Sequence, residues 1–350
     1  MPGRGYFTGG LVLTLFLLCA GESFSAEYEN GRIKLVLSEE TGRFSLYYMA
    51  DLDSGIFEPL FADQDPRTGF LAVQVNDRSF KMGEAASFRT RLGGSTDEPA
   101  IIFDSPGITV TQKFTFISVG NSPYANGISV AVYILNKGER PVRAGIRLLL
   151  DTFLGEEAGG SGPSFTTDLR PLMSETLLNA NAPDEWWVSR NARYGLMGTL
   201  NSVYVQPPST VHFANWKRLS SAAWALQFSP RNFSSPPSSF NDAAVSYIYD
   251  PETIEAKSFR VVELLLAAEE AGGFAEVDFF VVPAFLARNS RGDSDAMPSW
   301  EENVRTDQTI LRDLVARVDD LMARGEPVPE EMLAEMEILV IRVRDRYGIW

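Results

Sequence analysis

One stretch constrains this chain more than any other: residues 127–157, GISVAVYILNKGERPVRAGIRLLLDTFLGEE. Ile128, Val130, Val132 and Ile134 alternate with smaller or more polar partners, the period-2 pattern of a half-buried strand. Asn136-Lys137-Gly138-Glu139 is a polar turn, and Pro141 can open the next strand without losing a ladder hydrogen bond. Residues 142–150 are then almost continuously apolar, as a strand covered on both faces would be, until Asp151-Thr152 ends the run. The pattern predicts two neighbouring strands at the centre of a β-rich unit.

The signals on either side repeat that theme. Residues 32–37, 44–49, 70–75, 80–82, 101–103 and 108–117 read as short strands, divided by turn chemistry such as Glu39-Glu40-Thr41-Gly42 and Asn76-Asp77. Strands at intervals of about 8–12 residues predict an antiparallel sandwich or barrel. Further strands are expected at 194–205, 222–228, 244–249, 260–268 and 275–283. Ser234-Ser235-Pro236-Pro237-Ser238-Ser239 reads as a mobile surface loop.

The two ends differ from the middle. The first 26 residues carry Arg4, an apolar run at 11–20 and then small polar residues, the layout of a secretory signal peptide. Leu18 directly before the single cysteine, Cys19, favours a cleaved soluble product over a lipoprotein. Export to the periplasm or beyond is therefore expected, with a mature chain that has no disulfide and no thiolate site. A composition shift at 289–299 predicts a linker. Beyond it Leu311, Leu314, Val318 and Leu321, then Met336, Leu339 and Val343, recur at helical spacing around Gly325-Glu326-Pro327-Val328-Pro329. The expected domain plan is a signal peptide at 1–26, a β-sandwich at 27–288, a linker at 289–299 and a coiled-coil-like α-helical hairpin at 300–350. The hairpin stripe and the terminal Trp350 are its expected partner-binding surface, for another protein or a second copy.

Charge and residue inventory narrow the function. A net charge of −15 argues against nucleic acid and against anionic lipid headgroups. His212 is the only histidine, too few nitrogen ligands for an ordinary transition-metal site, and no G-x-S-x-G elbow is present. Glu156-Glu157 match no calcium loop, and among 46 acidic residues no carboxylate pair stands out. No cofactor or metal is implied. Asp151 at the strand end suits either loop fixing or a ligand. Trp186, Trp187 and Trp216, with Arg190 and His212, form the candidate sugar-binding set, because indole faces stack on apolar sugar faces. The competing role for these tryptophans is core filling.

Residues 136–155, NKGERPVRAGIRLLLDTFLG, resemble a segment of the galactose mutarotase-type β-sandwich proteins, the supersandwich fold, with Thr41-Gly42-Arg43-Phe44 and Gly69-Phe70-Leu71-Ala72-Val73 compatible with it. The resemblance implies a large antiparallel supersandwich; the catalytic acid and histidines of the mutarotases are not recognisable, and fold does not transmit function. The whole plan also resembles exported proteins of spirochaete-type bacteria, some of which serve the periplasmic flagellar collar. The leading expectation is thus a non-catalytic scaffold of the cell envelope that uses its helical hairpin to bind a partner. The alternative is a carbohydrate-binding or carbohydrate-active module with aromatic residues on a concave sheet face, and an epimerase-like enzyme using His212 ranks third.

Overall fold

In the computed structural model the described residues are 25–279, without 63–65, 121, 157–162, 203 and 238, together with Val318 and Arg324. The chain opens with β1 (Ser25–Asn30), β2 (Ile33–Ser38), β3 (Arg43–Tyr48) and β4 (Glu58–Pro59), a four-stranded sheet in sequence order. It continues through β5 (Phe70–Val75), β6 (Arg78–Lys81), β7 (Arg89–Gly94), β8 (Pro99–Asp104), β9 (Ile108–Val119), β10 (Gly127–Asn136) and β11 (Val142–Asp151). Next come β12 (Phe165–Thr167), β13 (Pro171–Leu172), β14 (Thr176–Asn179), β15 (Trp186–Arg190), β16 (Gly195–Thr199) and β17 (Thr210–Asn215). One helix, α1 (Trp216–Ser221), precedes β18 (Ala243–Ile254), β19 (Phe259–Ala268) and β20 (Val277–Phe279). The two large sheets have ten strands, ordered β13-β12-β15-β16-β19-β10-β9-β8-β7 with β20 also on β9, and six strands, ordered β14-β17-β18-β11-β5-β6. Every pairing is antiparallel. The mainly β, antiparallel reading of the sequence is thus what the chain adopts.

Alternation places one core between the sheets. Ile128, Val130, Val132 and Ile134 of β10 meet Ile146, Leu148 and Leu150 of β11 in a single cluster, which Leu35, Leu37 and Leu46 of the first sheet also join. The two central strands are therefore not sheet neighbours, as expected from sequence, but face each other across the core. Asn136 makes the crossing: its Oδ1 accepts from Gly138 N–H, and its Nδ2 donates to the carbonyls of Arg140 and Ile254. Trp187 fills the same core; its Nε1–H donates to the Tyr247 hydroxyl, which donates to Thr199 O, so a polar handle links the two large sheets.

Three local expectations need correction. The 194–205 strand stops at Thr199. Residues 222–228 alternate like a strand but pair with none, and a short helix precedes them. The Ser/Pro-rich excursion is not a free loop, because Phe233 is buried and Asn215 Nδ2 donates to Phe233 O, Ser239 Oγ and Asp242 O. The signal peptide lies outside the described residues except for Ser25 and Ala26. The linker and hairpin do as well, except for Val318 and Arg324, which are both helical. Leu311, Leu314, Leu321, Met336, Leu339, Val343 and Trp350 all fall there, so the described structure contains no hairpin or coiled coil. Among the described residues no helix is long and apolar enough to cross a membrane.

Candidate functional site

The period of 2 that sends Ile146, Leu148 and Leu150 into the core sends Arg147, Leu149 and Asp151 to the outer face of the six-stranded sheet. Register then fixes their neighbours. Leu177, His212, Ser246, Leu149 and Phe70 lie in one cross-strand row, and Ala214, Ala244 and Asp151 in the next. This face is not left to water. The helix α1 and the segment 222–229 lie over it, and Leu219, Trp216, Trp224 and Leu226 pack on Phe70, Ala72, Leu149, Ala214 and Ala244.

The cover has a mixed chemistry. Arg147 is 1% exposed, yet it is a full charge. Its Nε donates to Ser246 Oγ at 3.0 Å, Nη1 to Ala222 O at 2.9 Å and Nη2 to Leu219 O at 2.6 Å. Burial pushes its pKa down to about 10. The guanidinium also lies 5.6 Å from the Phe70 ring centre, and Lys81 Nζ lies 4.4 Å from the same ring.

Beside it, His212 and Glu175 are both buried, with His212 Nε2 3.0 Å from Glu175 Oε1. Burial first, and the Arg147 charge second, lower the imidazole pKa to about 4. His212 is therefore neutral near pH 7 and donates Nε2–H to the carboxylate. Glu175 also accepts from Ser229 N–H at 2.8 Å and from Arg218 Nη1. One carboxylate thus holds β17, α1 and the far end of the covering segment together.

At the end of the same sheet three acids converge. Glu156 Oε1 accepts from Ala243 N–H, and burial pushes its carboxyl up to about 8, with the charges of Asp242 and Asp151 adding to the shift. The Asp151 backbone carbonyl accepts from Ala62 N–H, and Asp242 accepts from Ser239 Oγ at 2.6 Å. Among the described residues no group of three or more His, Cys, Asp or Glu has the geometry of a metal site.

The residues picked from the sequence are divided by the fold. His212 and Trp216 share the outer face of the six-stranded sheet, where Trp216 Nε1–H donates to Thr68 O at 3.2 Å. Trp187 is inside the core. Trp186 packs over Gly273 on the ten-stranded sheet, and Arg190 pairs with Glu269 at 2.6 Å on that same sheet. Sequence reading missed Arg147, Phe70, Lys81, Glu175, Arg218 and Phe228. Arg147 did leave a signal, as the one charge inside the apolar end of the 142–150 run.

No family model and no curated protein matches the chain. Solved structures do resemble it. They include a galactose mutarotase-related enzyme from Lactobacillus acidophilus, with 10% identity, covering 73% of this chain and 100% of that one, at a TM-score of 0.40. A galactose mutarotase-like protein from Lactobacillus casei has 11% identity over 70% and 100% of the two chains, at 0.43. A putative aldose 1-epimerase from Escherichia coli K12 has 11% identity over 70% and 99%, at 0.39. These are likenesses of fold, in line with the supersandwich resemblance of residues 136–155. The leading sequence expectation, a cell-envelope scaffold or collar component, is not carried forward: the structures named are mutarotase-like and epimerase-like proteins. The hairpin on which the scaffold reading rested lies outside the described residues.

Proposed function

We propose that this chain is a carbohydrate-binding protein and that the sugar is held on the outer face of the six-stranded sheet. The supporting observation is the composition of that face. Buried charged and polar groups (Arg147, His212, Glu175 and Ser246) are set among Phe70, Trp216 and Phe228, whereas the opposite face of the same sheet is apolar core. Sugars need that combination, a ring face to stack on and fixed hydrogen-bonding groups at its edge. Phe228 is the accessible part, 46% exposed with its ring centre 6.4 Å from that of His212. The leader read in the first 26 residues fits a protein that meets polysaccharide outside the cytoplasm.

Retention on polysaccharide columns tests the reading. Phe228→Ala removes an exposed ring and should weaken retention several-fold while leaving the unfolding midpoint unchanged; Trp216→Ala should weaken it as well. Trp186→Ala, on the other sheet, should have no effect. Full retention by Phe228→Ala and Trp216→Ala, or loss through Trp186→Ala alone, contradicts the placement.

A further inference from the structure

Two backbone carbonyls, one in the last turn of α1 and one where the covering segment 222–229 begins, are turned onto one cation. Leu219 O and Ala222 O receive Nη2–H and Nη1–H of Arg147, so the two terminal nitrogens of the guanidinium fork are answered by two separate neutral carbonyls. Among the described residues no carboxylate is paired with Arg147; its remaining hydrogen bond is to the neutral Ser246 hydroxyl, beside the Phe70 ring. A buried cation met only by neutral groups bears a desolvation cost that an anion would offset. A planar guanidinium also matches the two oxygens of a carboxylate better than any other side chain does. Leu219 and Ala222 close the C-terminal end of α1, so in the covered state Arg147 also serves as a basic cap on that helix end.

Resting on the carbohydrate reading and narrowing it, we infer that the ligand is an acidic sugar, a uronate whose carboxylate replaces Leu219 O and Ala222 O on the Arg147 fork. Phe70, whose ring centre lies 5.6 Å from the Arg147 guanidinium and 4.4 Å from Lys81 Nζ, is uncovered beside it when the segment lifts, and neutral His212 and Ser246 share the same sheet face. The covering segment and the end of α1 must lift for this exchange, giving up the packing of Leu219, Trp224 and Leu226 on the sheet. Trp224 lies against Gly145, where a side chain would meet the indole at 3.0 Å; Ser229 N–H holds Glu175, and Arg218 reaches Gln227 O at 3.4 Å. Lifting breaks two charge-assisted hydrogen bonds to Arg147, and a carboxylate that accepts from both terminal nitrogens and carries the opposite charge takes their place.

Isothermal titration of the full chain with trigalacturonate and with a neutral galactose trisaccharide tests this. The acidic trisaccharide should bind about ten-fold more tightly, and its affinity should fall as NaCl is raised. Arg147→Gln should erase that preference, and Arg147→Lys should keep part of it. Trp224→Ala, which frees the cover, should raise the affinity for trigalacturonate several-fold. Equal binding of both sugars, unchanged by Arg147→Gln, overturns the acidic-sugar inference and leaves the carbohydrate reading standing; binding of neither overturns both. If Arg147→Gln does not fold, Trp224→Ala decides, and an unchanged or lowered affinity for trigalacturonate contradicts the exchange.

Discussion

Glu156 carries the clearest single-residue consequence for stability. Its carboxyl is raised from an ordinary value near 4.5 to about 8 in the fold, first by burial and then by Asp242 and Asp151. The folded chain therefore keeps a proton that the unfolded chain releases, so ν is larger in the folded state and stability falls with rising pH. The contribution is complete below about pH 4.5, declines between there and about pH 8, and is lost above. Glu156→Gln, neutral at every pH, should flatten this part of the profile and raise the midpoint at pH 9 relative to the parent. Thermal melts at pH 5, 7 and 9 check it, and parallel profiles for the two proteins would remove Glu156 as the cause. Single residues also show what a sequence conceals. Trp187 and Trp186 are adjacent, so alternation had to put one inside and one outside, but only the pairing of β15 with β12 and β16 decides which. His212, one of the candidate sugar-binding residues of the sequence, is buried; its partner Glu175 is 37 residues away and had no local signal.

At the scale of elements, period 2 located most strands but not their sheets. β10 and β11 are joined by five residues, and nothing in those residues distinguishes a hairpin from a crossing between layers; the strong apolar faces of both strands are satisfied equally by either. The helix α1 has six residues, too few for a 3.6-residue period to register, and the covering segment after it alternates because Trp224 and Leu226 point down onto a sheet face without joining the sheet. Asn215 is the residue that organises this corner. Its Oδ1 accepts from Arg218 N–H as the N-cap, and its Nδ2 reaches Phe233 O, Ser239 Oγ and Asp242 O. Asn215→Ala should cost about 2–4 kcal/mol, since the lost cap and the buried acceptors left behind add. Urea unfolding measures it; a loss below about 0.5 kcal/mol, the size typical of a surface change, would mean the corner is held by packing alone.

For the whole molecule, three sheets share one apolar cluster, and a smaller body of buried side chains on the outer face of the six-stranded sheet mixes charged and polar groups with apolar ones. Its mixture of Arg147, His212, Glu175 and aromatic rings is hard to justify by stability, because hydrophobic residues would fill the same space without the desolvation of charge. Sequence patterning, which reports burial and period, could not separate such a face from an ordinary core layer. Hydrogen exchange of the full chain, with and without saturating trigalacturonate, tests the account most directly. It predicts altered exchange at residues 70–75, 145–151 and 212–229, with the ten-stranded sheet around 186–190 and 265–273 unchanged; an effect confined to 186–190 and 265–273, or none anywhere, would contradict it.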